Sequence, residues 1–137
     1  TTLPGLSVNL TVEPKKQRVE DMQNGDFQLG LTRWGPDYAD PMTYLGMWIT
    51  DNPNNYGLWS NPEYDGIIAE CTTGELCTDP EGRWARLYDA EKLVMDEAVI
   101  FPLYTQCNAE MMSAKVSGVE FHPVALNRVY KNAAKAQ

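Results

Sequence analysis

Ser7–Val12 (SVNLTV) alternates polar and apolar positions, the two-residue period of a half-buried strand. Pro14 then opens a stretch that Asn24-Gly25 closes, which predicts a helix, because glycine supplies the left-handed C-terminal cap without steric cost. Its first turn carries Lys15, Lys16 and Arg18, the sign that opposes a helix dipole. Phe27, Leu29 and Leu31 alternate again, so 27–34 (FQLGLTRW) reads as a second strand. Strand, helix and strand within about 30 residues predict a βαβ unit with a parallel pair.

Three sites then repeat one device: Asp40-Pro41, Asn61-Pro62 and Asp79-Pro80. Asp or Asn caps free backbone N–H groups, and proline fits the first helical position, where no N–H is needed. Helices are therefore predicted near 41–48, 62–70 and 80–96. In the third, Trp84, Leu87, Ala90 and Val94 are assigned to one face, with Glu91 close beside it. Val99–Tyr104 (VIFPLY) is a nearly continuous apolar run and reads as a buried strand, although Pro102 cannot donate to a ladder. A hairpin of 110–114 and 119–121 is expected to turn near Ser117-Gly118, and the tail 131–137 to fray. Together these elements predict one α/β unit: a small, mostly parallel sheet flanked by helices.

The 137 residues carry 11 Lys and Arg against 19 Asp and Glu, a net charge of −8, so nucleic acid is not an expected partner. Hydrophobic residues make up 43% and charged residues 22%, an ordinary globular balance for one domain. No apolar run approaches about 18 residues, and residues 1–5 (TTLPG) have neither the basic segment nor the apolar core of a signal peptide. His122 is the single histidine and no Cys-x-x-Cys pair stands near it, so a zinc site is not expected. It reads as a loop residue packed under the hairpin. A Gly-x-Ser-x-Gly elbow and a Gly-rich phosphate loop are both absent, so no motif supports an enzyme or a cofactor site. Cys71 and Cys77 flank a Thr-Thr-Gly-Glu-Leu loop. In an oxidising compartment they would close a bridge worth about 2 kcal/mol; the alternative is two free thiols near a helix end, with Cys107 left over either way.

The most informative stretch runs from Trp34-Gly35-Pro36-Asp37-Tyr38-Ala39-Asp40-Pro41 through Asn54-Asn55-Tyr56-Gly57 to Trp59-Ser60-Asn61-Pro62-Glu63-Tyr64-Asp65. Asp37 follows the carboxyl end of a predicted strand, where open α/β sheets place their ligand crevices. A carboxylate among aromatic rings suits an ammonium group, through charge, hydrogen bonds and cation–π attraction. The plainer reading is that Asp37 and Asp40 cap turns while Trp34 belongs to the core. Pro41 favours that reading for Asp40; Asp37 stays open between the two. Other chemistries for these acids are a carbohydrate-active enzyme using Asp37 and Asp51, and a calcium-stabilised module using Asp37, Asp40 and Asp51.

Leu3-Pro4-Gly5, Asn24-Gly25-Asp26-Phe27, WGPDYADP, NNYG, SNPEYD and TDPEGRW occur in an order that resembles the extracytoplasmic solute-binding proteins of ABC peptide importers. The likeness continues through Tyr88–Lys92, Phe101–Tyr104 and Gly118-Val119 to His122-Pro123. Such proteins have two ligand-closing lobes of the type II periplasmic-binding kind. The resemblance implies a C-terminal fragment of one, 124–137 running back toward the other lobe, outside the cytoplasm in a periplasm or as a cell-surface lipoprotein. It implies that Asp37 pairs with the free α-ammonium of a bound peptide and that Trp34 and Tyr38 line the pocket. Backbone groups of Thr32, Arg33, Trp34 and Gly35 would bond the ligand main chain. Membrane permease subunits would be partners. Nickel- and sugar-binding members of the same family are the nearest alternatives. A single lobe would leave apolar surface open to self-association.

Overall fold

The computed structural model describes residues 4–122, 124 and 128–136. Leu3 and Pro123, which belong to the matched motifs, lie outside the described residues. Among the described residues, four α-helices carry the fold: α1 (Lys15–Asn24), α2 (Met42–Leu45, continued by a 3-10 turn Gly46–Trp48), α3 (Pro62–Thr72) and α4 (Pro80–Asp96), with a further 3-10 turn Glu75–Thr78.

All three Asp/Asn-Pro devices work as local chemistry demands. The Asn61 side chain accepts from the N–H groups of Glu63 (2.9 Å) and Tyr64 (3.2 Å). Asp79 accepts from Gly82 N–H (3.2 Å), and Asp40 from Met42 N–H (2.9 Å). At the other end of α1, Gly25 sits at φ 78° and two crossed bonds close the helix: Gly25 N–H to the Met22 carbonyl and Asp26 N–H to the Asp21 carbonyl.

The core is built between α2, α3 and α4. Tyr64, Ile67, Ile68 and Cys71 occupy i, i+3, i+4 and i+7 of α3 and meet Leu87, Ala90 and Val94 of α4, with Leu45 of α2 completing the cluster. Tyr64 is fully buried, so its hydroxyl needs a partner; it donates to the Leu45 carbonyl. Trp59 packs edge-on against that ring at 5.0 Å between centroids. Buried Asn55 ties down the loop before α3: its amide donates to the Trp59 (2.7 Å) and Ile49 (3.3 Å) carbonyls, and its oxygen accepts from Trp59 N–H (3.3 Å).

Elsewhere the structure departs from the sequence expectation. Trp84 is largely exposed; the inward stripe of α4 is Arg83, Leu87, Ala90 and Val94, spaced i, i+4, i+7 and i+11. The segments 7–12, 27–34 and 99–104 form no ladder, so the βαβ unit and its parallel pair are not made. Leu10 (84%), Leu29 (88%) and Phe101 (80%) stand in solvent. Alternation marks a segment that suits a sheet, but a strand also needs a neighbour to bond, and among the described residues none pairs with these three. In place of one mostly parallel sheet, the described residues form two separate two-stranded sheets, both antiparallel. β1 (Val116–Ser117) pairs with β4 (Ala134–Lys135), and β2 (Glu120–Phe121) with β3 (Arg128–Val129).

The expected 110–114 strand is therefore absent, and Gly118 separates β1 from β2 without making them a hairpin. Gly118 has φ 71°, and a Cβ there would lie 2.0 Å from the Asn132 carbonyl oxygen, so only glycine fits. Residues 134–135 of the tail are held by β1 instead of fraying. Among the described residues, no helix is long and apolar enough to cross a membrane.

Candidate functional site

Thr32, Arg33, Trp34, Gly35, Asp37 and Tyr38 lie together on one exposed, irregular segment leading into α2. Long-range bonds hold it where no ladder does. Arg18 donates to the Leu31 carbonyl, and Arg33 donates to the Gln106 side chain. Closer to α2, Asp37 N–H donates to Thr43 Oγ1 at 2.9 Å, and Thr43 is itself buried. The Asp37 backbone is thus fixed to α2 while its carboxylate faces solvent.

Asp40 is the hinge of this arrangement. Both of its oxygens meet the Arg83 guanidinium, Nη1 to Oδ2 at 2.8 Å and Nη2 to Oδ1 at 2.9 Å, in a two-pronged ion pair. Arg83 Nε donates to the Cys71 carbonyl at 2.9 Å, and Cys71 Sγ in turn donates to the Arg83 carbonyl at 3.8 Å. The Arg83 hydrogen bonds hold the Asp40 carboxyl below its usual pKa; partial burial pushes the other way, and Met42 N–H helps the lowering. Tyr38, Asp40, Cys71, Cys77 and Arg83 border an open cleft of about 540 Å³. Neither Arg83 nor Thr43 stands out in the sequence reading, which places Arg83 only within a motif. One signal was available: an arginine stands on the α4 stripe where an apolar residue belongs.

Other candidates are not gathered here. Asp51, at φ 63°, borders a second cavity of about 390 Å³ with Thr50, Asn55 and Tyr56, while Asp40 is committed to Arg83. Among the described residues, no three His, Cys, Asp or Glu side chains could hold a metal ion, so Asp37, Asp40 and Asp51 form no calcium cluster. Cys71 and Cys77 stand as separate thiols in the structure, the second of the two alternatives: Cys71 is buried against Arg83, and Cys77 is exposed on the 3-10 turn beyond α3. His122 is exposed, not packed under a hairpin, with Nδ1 2.8 Å from the Val124 carbonyl oxygen.

No family profile matches the chain. It is 37% identical over 131 residues to the dipeptide-binding protein of Lactococcus lactis subsp. cremoris, covering 96% of this chain and 24% of that protein. It is 32% identical over 120 residues to the dipeptide-binding protein DppE of Bacillus subtilis, covering 88% of this chain and 22% of that one. Among solved structures, the substrate-binding domain of an oligopeptide ABC transporter from Bacillus anthracis superposes with a TM-score of 0.86 at 36% identity, over 98% of this chain and 26% of that one. Listeria monocytogenes OppA bound to peptide gives 0.82 at 31% identity, over 98% and 25%.

Sequence and fold together relate the chain to the dipeptide- and oligopeptide-binding proteins of ABC transporters. It spans about a quarter of the length of these relatives, as an α/β segment of the type II periplasmic-binding fold.

Proposed function

We propose that this chain is part of one lobe of an ABC-importer binding protein, which captures peptides outside the cytoplasm and passes them unaltered to membrane permease subunits. The observation that carries the reading is the Asp37 carboxylate. It is exposed and, among the described residues, takes no hydrogen bond or ion pair, while its own N–H is anchored to Thr43. In this reading Asp37 pairs with the peptide's free α-ammonium. Exposed Trp34 and Tyr38 flank it, and backbone groups of Thr32, Arg33 and Gly35 bond the ligand main chain. Recognition through groups common to all peptides accommodates varied side chains, and binding then requires no chemistry on the ligand.

Calorimetry on the intact protein tests this. Peptides with free amines should bind saturably and be recovered unchanged. Asp37→Asn keeps the shape and removes the charge, and should cost those peptides roughly 2–5 kcal/mol. N-acetylated peptides should bind the native protein poorly and lose little more in the variant, the non-additivity of a direct contact. Equal losses for free and acetylated peptides would reduce Asp37 to a loop-shaping residue. Reproducible cleavage of the peptides by pure protein would overturn the non-catalytic reading.

A further inference from the structure

We propose that Arg83 is the positioning residue of the 32–40 segment, setting the place of Asp37 through Asp40 and Thr43. The inference rests on the reading of Asp37 as the ammonium anchor. Helix capping alone would occupy one Asp40 oxygen, which Met42 N–H already reaches. The fork from Arg83 engages both oxygens. Its third nitrogen, Nε, holds the Cys71 carbonyl at 2.9 Å, so one planar group joins the start of α2 to the last turns of α3. From Asp40 the chain of bonds continues inward. The Asp40 carbonyl accepts from Thr43 N–H at 3.1 Å, and Thr43 Oγ1 accepts from Asp37 N–H at 2.9 Å. Asp37 therefore sits three links from a guanidinium that is rooted in the α4 core stripe beside Leu87.

Lysine cannot replace it, because an ammonium lacks the flat fork that meets two carboxylate oxygens and a carbonyl together. An arginine on an inward-facing position is also costly unless its donors find partners, and here each of Nη1, Nη2 and Nε donates one hydrogen bond. A loop with few backbone ladders gains order from such a clamp, and a charge pair made with a ligand is worth most when its geometry is set beforehand.

The test uses dialanine, trialanine and pentaalanine, each with a free and an N-acetylated amine, on the intact protein and its Arg83→Lys, Arg83→Met and Thr43→Val variants. The readout is the ratio of free-amine to acetylated affinity, with Tm measured alongside. That ratio should fall about tenfold in Arg83→Met and in Thr43→Val, within the coupling expected of one hydrogen-bond network. Arg83→Lys should recover Tm relative to Arg83→Met more than it recovers the ratio. Variants that melt earlier yet keep the native ratio would overturn the proposal and leave Arg83 a purely structural residue. Should Arg83→Met fail to fold, Arg83→Lys and Thr43→Val decide by the same ratio. A native protein that does not distinguish free from acetylated peptides would bring down the Asp37 reading and this one together. Loss of the ratio in Asp37→Asn with its retention in the Arg83 and Thr43 variants would sink only the positioning role.

Discussion

Asp40 shows how one residue serves two structures, capping α2 through Met42 and joining α2 to α4 through Arg83. Reading it as a cap was correct and incomplete, because Arg83 lies 43 residues away and no local pattern announces the pair. Asp40→Asn should therefore cost more than a cap, about 1.5–3 kcal/mol at neutral pH, the range for hydrogen bonds to charged groups. The pair also sets a pH dependence. The folded carboxyl titrates below its unfolded value, so its stabilisation is present above about pH 4 and is lost as pH falls through the lower folded value. Urea unfolding of native and variant proteins should show their gap narrowing below pH 4; a constant gap would remove the ion pair from the account. The cysteines divide by environment as well. Burial pushes the Cys71 thiol up, against the lowering pull of Arg83, whereas Cys77 and Cys107 are exposed. Iodoacetamide should alkylate Cys77 and Cys107 in the native protein and reach Cys71 only in denaturant. Protection of both Cys71 and Cys77, lifted by reductant, would establish the bridge instead.

At the scale of elements, the helices are the legible part, because Asp/Asn-Pro starts and Asn24-Gly25 stops act within a turn of the chain. On α4, Leu87, Ala90 and Val94 face inward as expected, and only the first position of the stripe differs. Trp84 looks like core and Arg83 does not, yet Arg83 finds its partners inside while Trp84 faces solvent. α4 ends as α1 does, with crossed bonds from Ala98 N–H to Met95 and from Val99 N–H to Val94, but here an alanine takes the left-handed position at φ 52°. A Cβ in that conformation costs roughly 1–2 kcal/mol, against about 0.4–1 kcal/mol for the added freedom of glycine in the unfolded chain. Ala98→Gly should thus stabilise by about 0.5–1 kcal/mol in urea titrations. A loss would mean that the Ala98 methyl contributes packing that outweighs the strain.

For the whole molecule, the three apolar extended segments dominate behaviour. Leu10, Leu29, Phe101 and Tyr104 are exposed on backbone that has no ladder among the described residues, and such unpaired apolar segments are templates for strand pairing. Prepared as these 137 residues alone, the chain should self-associate, with a light-scattering mass that rises with concentration and falls when Leu10, Leu29 and Phe101 are changed to Thr. A constant monomer mass would show that these segments cover one another in solution. What the sequence determined by itself is what short-range physics determines: the helix starts at the Asp/Asn-Pro sites, the left-handed stop at Gly25 and most of the inward face of α4. What only the tertiary structure decided is which extended segments find partners, that the small ladders run antiparallel, and that Arg83 clamps Asp40. Strand pairing and ion pairs join residues far apart in sequence, so their choice depends on which groups the packed helices bring within bonding distance.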